Sequence, residues 1–212
     1  MSDRYAGGDG LFPQRRDFAV CAAGAGGVSG QLMQNIKLKD ALADVDIAFR
    51  QLEFAIKLLS YCELGNMKPS DFDTDHVVLL QRETLNFPRG KFNDADSINK
   101  AAATSVLIAF SASVLVLDDA FEAAGMKADP GAMGNDGQLR ALIYMARCAQ
   151  AHGIADPRWE VRGKYCRTLS VNLGGTSISL DLRALHGENF VVDQLGGYAN
   201  WYRIRDAAVQ LL

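Results

Sequence analysis

Apolar residues recur at alternating steps of three and four along one long segment, from about Gln31 to Leu64. This spacing places them on one face of a single α-helix. Gly65 follows, and glycine commonly ends a helix. A helix of about thirty residues is about 45 Å long, so the pattern predicts a bundle helix that needs apolar partners along its length. The seven positions are Leu38, Leu42, Val45, Phe49, Leu52, Ile56 and Leu59.

Two further long helices are predicted in the middle of the chain. The first of these runs from a cap at Asp96 or Ser97 to about Ala124 and contains an uncharged run, Ala101–Leu117. The next begins after a cap at Asn135 or Asp136, and its apolar residues again recur at steps of three and four. Three such helices in succession favour a bundle.

Strands are predicted where the period of the pattern changes to two. Apolar and polar residues alternate on both sides of Gly174-Gly175, which predicts a hairpin with a two-residue turn. The register that pairs Val171 with Ile178 makes one face of this hairpin apolar, so that face covers a core. The runs Val77–Leu80 and Phe190–Val192 each predict one additional strand. The inward hairpin positions are Leu169, Val171, Leu173, Ile178, Leu180 and Leu182.

These elements predict a mainly α-helical fold, a helical bundle with a C-terminal β-hairpin and a closing helix. Residues 1–30 are rich in glycine and alanine, and we expect a flexible N-terminal arm there. The bundle is expected over 31–156. The remainder, 157–212, is expected to hold the hairpin and a last helix, from Tyr198 to Leu212, packed on the bundle.

Composition narrows the class of protein. The chain has 212 residues, of which 49% are hydrophobic and 22% charged, which excludes a disordered or collagen-like chain. Its four cysteines form no C-x-x-C pair, and no secretory signal pattern opens the chain, so we expect a cytoplasmic protein. The run Ala101–Leu117 is at the short limit of a membrane span and contains four hydroxyl side chains, which favours a buried bundle helix without membrane contact.

The glycine-rich stretch Gly24–Gly30 raises the alternative of a dinucleotide-binding loop. That fold requires a second strand about 20 residues later, ending in an acidic residue. The predicted first helix occupies that place, so a small-molecule enzyme built on this stretch is the least favoured class.

Arg147 and His152 stand five residues apart at the end of the third predicted helix. This R-x4-H spacing, placed after two long helices, resembles the motif of the HEPN family, helical-bundle proteins that include many bacterial metal-independent endoribonucleases. Over about residues 31–156 the resemblance implies an RNA-binding protein or endoribonuclease, a toxin or defence component, with Arg147 and His152 as catalytic residues. A partner antitoxin would fit such a role. Cys148 stands where the family often has asparagine.

The chemistry of these two residues suits RNA cleavage without a metal or other cofactor. Attack by the RNA 2′-hydroxyl needs a group to take its proton, an acid for the leaving oxygen, and positive charge for the phosphorane. Histidine can fill either proton role, and arginine is a permanent two-pronged phosphate ligand. Because residues five apart lie about 140° apart on an ideal helix, a homodimer that brings two copies of each residue to one cleft is expected.

Charge is uneven along the chain. Its net charge is −3, but residues 140–212 hold 9 basic and 6 acidic side chains, so any RNA contact is expected in this C-terminal part of the chain. Trp159 and Trp201 are expected as core anchors more than as stacking platforms. His76 and His186 receive no role. The alternative function is a catalytically inactive helical homodimer, a binding or regulatory scaffold. The predicted RNA-contacting residues are Arg158, Arg162, Lys164 and Arg167.

Overall fold

The heptad segment forms one continuous helix that is longer than predicted by a turn at its start. The structure is a computed structural model and describes residues 28–151, 153 and 156–212, with side chains from residue 30 onward. The predicted arm over 1–27 and the predicted catalytic His152 lie outside the described residues. The described helices are α1 (Val28–Glu63), α2 (Pro69–Phe72), α3 (Ala95–Ala123), α4 (Asn135–Gln150) and α5 (Tyr198–Leu211). The strands are β1 (His76–Leu79), β2 (Thr84–Phe87), β3 (Thr168–Asn172) and β4 (Ser177–Asp181).

Helices α1 and α3 pack side by side in opposite directions. Gln34, near the start of α1, lies against Gly125, just after α3. At the other end, Cys62 packs on Ile98 and Ala102. The heptad face of α1 and the apolar run of α3 thus share one core within a single chain, which gives the first helix the apolar partners that its pattern requires. The central heptad residues are fully buried, namely Val45, Phe49 and Leu52.

The start of α3 differs from the prediction by a few residues. Asp94, and not Asp96 or Ser97, caps the helix, since its side chain accepts a hydrogen bond from the Ser97 N–H at 2.7 Å. Helix α4 then runs antiparallel to α3, because Arg140 near its start reaches Glu122 and Gln150 at its end bonds to Ser111. Helix α3 therefore packs against both α1 and α4, antiparallel to each.

The C-terminal hairpin has the predicted register. Val171 pairs with Ile178 and Leu169 with Leu180, and the inward side chains join the main core. Gly174 and Gly175 have φ of +66° and +105°, conformations that favour glycine, so the two-residue turn explains both glycines. The apolar face of the hairpin lies on α4.

The predicted third strand over Phe190–Val192 is wrong. The Phe190 ring is buried, but the backbone forms no strand here. The Phe190 N–H donates one hydrogen bond, to the Pro157 carbonyl, and a 3-10 turn begins at Val192. Helix α5 follows and places Trp201 in the core, where its Nε1–H donates to Ser113 at 2.9 Å. Trp159 is also buried, so both tryptophans are core anchors.

Residues 64–94 contain a second hairpin, of which only β1 was predicted. β1 pairs with β2 in antiparallel register, with Val78 opposite Leu85. Every residue of both strands is exposed. This two-stranded sheet therefore stands out from the bundle beyond the paired ends of α1 and α3.

Helix α3 is long and apolar enough to cross a membrane by length and composition, and half of its most apolar 18-residue window is buried in the fold. A core helix of a helical protein meets the same criterion. The described part of the chain is thus mainly α-helical, with two small antiparallel sheets.

Candidate functional site

Arg147 lies in the last turn of α4, on the side that faces α3. Its Nε is 3.4 Å from Oδ2 of Asp118, and 42% of its side chain is exposed. The guanidinium is therefore held by a carboxylate on one side and reaches solvent on the other. His152, its predicted partner, is two positions beyond the end of α4 and lies outside the described residues.

Asp118 shares its carboxylate between two guanidinium groups. Its Oδ2 faces Arg147, while its Oδ1 accepts a hydrogen bond from Nη1 of Arg140. Arg140 is buried, and it also donates to the Met126 carbonyl and to Glu122, both at 2.8 Å. A buried arginine with three hydrogen bonds thus fixes the carboxylate that holds Arg147.

Sequence reasoning missed both members of this pair. The signal for Arg140 was its place in the apolar stripe of α4, between Leu139 and Ala141. A charge in such a position requires a buried partner. Asp118 directly follows the uncharged run Ala101–Leu117, and its neighbours gave no sign of a partner.

The α3 side of the site is acidic. Asp119 lies next to Asp118, and burial and then the Asp118 charge raise its pKa, while Arg147 lowers it. The charge of Asp44, on α1, also raises the pKa of Asp119. The positive charge of Arg147 is therefore largely offset within the protein on this side.

On its other side, the end of α4 carries Cys148 together with two tyrosines. The rings of Tyr144 and Tyr165 lie 5.4 Å apart. Burial raises the pKa of the Cys148 thiol, although the Tyr144 hydroxyl and Arg147 act in the opposite direction. Burial likewise raises the pKa of Tyr165 to about 12. At neutral pH these three groups are protonated and add no negative charge.

The segment after α4 turns back and runs along it. The Arg158 N–H donates to the Ala149 carbonyl at 3.2 Å, so this arginine sits beside the end of α4. Its guanidinium bonds to Asp156, and that of Arg162 pairs with Glu160. Lys164 is exposed. Three of the four predicted RNA-contacting residues therefore follow one another on the segment that runs back along α4.

Arg167 is placed apart from them. Its guanidinium donates to the Ala132 carbonyl at 2.7 Å and contacts the Met133 sulfur, both just before α4 begins. Because 158–167 runs antiparallel to α4, the structure places Arg167 at the opposite end of that helix from Arg147. The two other histidines, His76 and His186, lie away from Arg147 in the sequence and in the fold, on β1 and in a turn.

Across residues 28–151, 153 and 156–212, no three histidine, cysteine or acidic side chains are grouped so that they could hold a metal ion. Comparison of the chain with protein-family models, with curated proteins and with solved structures finds no match. The function of this chain must therefore be inferred from the residues of the site and from the R-x4-H motif.

The surroundings of Cys148 predict low reactivity toward iodoacetamide. Thiolate is the reacting form, so a raised pKa and partial burial should make Cys148 at least about tenfold slower than the exposed Cys166 at pH 7.5. Peptide mass spectrometry over a time course measures both rates. In Tyr144→Phe, which lacks the hydroxyl that lowers the pKa of Cys148, alkylation of Cys148 should become slower still. Equal rates for Cys148 and Cys166 would contradict the described environment.

Proposed function

We propose that this chain is a HEPN-like RNA-binding protein of the cytoplasm and a metal-independent endoribonuclease, acting as a toxin or defence component. One observation carries the proposal: Arg147, the arginine of the motif, is anchored by a buried carboxylate yet 42% exposed, at the end of α4 from which a segment with three further basic side chains runs back. An arginine that only closed a surface ion pair would not need a carboxylate fixed by a second, buried arginine.

In this proposal Arg147 binds the scissile phosphate and stabilises the charge of the phosphorane. His152 takes or gives the proton, since its ordinary pKa suits either role near neutral pH. Arg158, Arg162 and Lys164 contact flanking phosphates. Their current carboxylate partners, Asp156 and Glu160, are exposed or half-buried, so exchange of these ion pairs for phosphate contacts costs little.

The proposed active form is a homodimer, and an apolar surface next to Arg147 supports it. Asp44 of α1 and Asp119 of α3 lie near each other. Since the two helices are antiparallel, Ile47, one turn after Asp44, and Leu115, one turn before Asp119, also lie on the same side. We call Ile47, Phe54, Ile108 and Leu115 the outer α1–α3 face; their exposed fractions are 62%, 61%, 49% and 39%.

This face has the geometry of a helix-packing surface. Ile47 and Phe54 are seven residues apart on α1, as are Ile108 and Leu115 on α3, which is the repeat that packs helices together. Leu115 is one turn before Asp118, the partner of Arg147. A two-fold contact on this face would bring the Arg147 side chains of two copies toward one another.

Charges placed on the outer α1–α3 face should prevent dimer formation. In the double variant Ile108→Asp/Leu115→Asp, two carboxylates per copy would face their own symmetry mates, so we expect a monomer by sedimentation velocity where the wild type is a dimer. Val209→Asp, at an exposed position on α5, is the control and should remain a dimer. A wild-type monomer, or a dimer that persists in the double variant, would contradict this interface.

The direct test of function is incubation of the purified full chain with mixed RNA in EDTA. The proposal expects cleavage products with 2′,3′-cyclic phosphate ends, because the 2′-hydroxyl is the nucleophile and no metal is needed. Complete inertness of a folded dimer would instead favour the alternative.

That alternative is a catalytically inactive helical homodimer that serves as a binding or regulatory scaffold. It is favoured by two observations, the ion pair that offsets the charge of Arg147 and the protonated Cys148 beside it. A partner protein such as an antitoxin fits either function, and co-purification with a co-expressed neighbouring gene product would identify it.

A further inference from the structure

The hairpin between α2 and α3 forms an apolar cleft that the proposed function does not use. The rings of Phe72 and Phe92 meet edge to face at 5.3 Å, and Phe92 also packs on the Cys62 cluster at the paired ends of α1 and α3. Val78 and Phe87 extend this floor across the sheet. The cleft measures about 580 Å³. Its position is therefore fixed by the bundle, while its floor remains open to solvent.

An isolated two-stranded sheet in water is at best marginally stable. Here β1 and β2 expose apolar side chains on both faces, including Val77 and Leu79 on the face away from the cleft, at 63% and 78% exposure. Both outer edges of the sheet lack a neighbouring strand among the described residues. These features indicate a surface that is completed by another segment of chain.

The rim of the cleft is acidic. Asp71 and Asp73 line it, and among the described lining residues Lys91 is the one lysine or arginine and His76 the one histidine. Asp73 accepts a hydrogen bond from the Gly90 N–H at 2.7 Å, and nearby Asp75 accepts one from the Arg89 N–H at 2.9 Å, so both carboxylates are fixed in place. A fitting ligand combines apolar side chains with adjacent positive charge.

We propose that this cleft binds the segment Leu11–Phe18 of a second copy of the chain. That segment reads Leu-Phe-Pro-Gln-Arg-Arg-Asp-Phe, two apolar residues followed by two arginines. Phe12 precedes a proline and so favours an extended backbone, as strand addition requires. Leu11 and Phe12 fill the floor, and Arg15 and Arg16 meet the acidic rim.

The length of chain between Phe12 and α1 decides whether the bound segment comes from the same chain or from a second copy. Phe12 is 16 residues before Val28, and 16 residues span at most about 55 Å when fully extended. Helix α1 has 36 residues and is about 54 Å long, and it carries Val28 at the end opposite the cleft. Binding within one chain would require a completely extended path. In a two-fold dimer with antiparallel α1 helices, each α1 begins near the partner's cleft, and the segment reaches it with slack.

This inference depends on the proposed homodimer and not on RNA cleavage. The test uses full chains that carry two different affinity tags and are co-expressed. One chain carries the photo-crosslinker p-benzoylphenylalanine in place of exposed Val78, and in a second experiment in place of Phe87. After irradiation, the dimer band that holds both tags is digested and mapped by mass spectrometry.

We expect crosslinks from both positions to residues 11–18 of the other chain. In Leu11→Ser/Phe12→Ser, and in Arg15→Glu/Arg16→Glu, the yield should fall at least about tenfold, since apolar burial or charge pairing is lost. Gln14→Ser is the matched control and should retain the yield. The crosslinker at Met133, which is 79% exposed elsewhere on the surface, should not reach the segment.

Crosslinks to residues 11–18 of the same chain, to the partner's β1–β2 hairpin or to another protein would overturn the proposal, as would no crosslink from either position. Sedimentation of the same samples separates the two failures. A dimer without the crosslink refutes this inference alone, whereas a monomer refutes the proposed homodimer.

Discussion

His152→Ala is expected to reduce RNA cleavage by about 10²- to 10⁴-fold while RNA binding stays nearly unchanged. The imidazole would transfer a proton in the transition state but contribute little to holding the ground-state phosphate, which the arginines would bind in the proposed function. Single-turnover cleavage of a labelled RNA measures the first quantity, and fluorescence anisotropy with the same RNA measures the second. Cleavage at the wild-type rate would remove His152 from the mechanism.

Arg147→Ala provides the informative contrast, because its guanidinium would serve both the bound phosphate and the transition state. We expect weaker binding and slower cleavage together, and a slope of log affinity against log salt that is smaller by about one. Arg183→Ala is the control, since Arg183 is an exposed arginine paired with Asp181 on the C-terminal hairpin. An Arg147→Ala protein that binds RNA with the wild-type salt slope would show that Arg147 does not contact phosphate.

Arg140→Met is expected to lower the free energy of unfolding by about 3–5 kcal/mol, the usual cost of removing one partner from a buried ion pair. Arg140 is 2% exposed, and its loss leaves the buried Asp118 carboxylate with only the longer contact to Arg147. It also removes the hydrogen bond to the Met126 carbonyl. Chemical denaturation followed by circular dichroism measures the change.

Two comparisons make this result specific. In Arg140→Met/Asp118→Leu the orphaned carboxylate is gone, so the double variant should be more stable than Arg140→Met alone. Arg183→Met removes an exposed ion pair and should hardly change the unfolding midpoint. A double variant that is less stable than Arg140→Met would mean that Asp118 contributes through contacts other than the Arg140 pair.

The elements that could be predicted from the sequence are those whose pattern is local. The period of α1 and the alternation around Gly174-Gly175 each identify an element and its buried face without knowledge of the rest of the fold. The hairpin register followed from pairing Val171 with Ile178, because a slip of one residue would turn the apolar side chains to solvent.

The two errors in the predicted strands also have physical causes. β2 was missed because Thr84–Phe87 has only two apolar residues, separated by an asparagine, and so lacks an apolar run like Val77–Leu80. The strand over Phe190–Val192 was expected because its residues are apolar. In the structure Phe190 is buried by ring packing against Phe110 and Trp159, and not by strand pairing.

The site residues, too, could be predicted from the sequence only where the signal is local. Arg147 could be selected from its motif, whereas the carboxylate that holds it belongs to another helix, and only the antiparallel packing of α3 and α4 brings the two together. The division of the basic residues also depends on tertiary structure. Arg167 lies far from Arg147 because the chain reverses after α4 and runs back to the start of that helix.

The most direct measurement is the activity of a heterodimer made from two inactive variants. Full chains carrying Arg147→Ala and His152→Ala are co-expressed with different tags, purified through both tags, and incubated with RNA in EDTA beside the wild type and each variant alone. Such a heterodimer keeps one arginine and one histidine, on different copies. If two copies build one RNA-cleaving cleft, it should cleave at about half the wild-type rate, with 2′,3′-cyclic ends, while each variant homodimer stays inactive. A heterodimer as inactive as its parents, or a wild-type dimer that leaves RNA intact, would contradict the account.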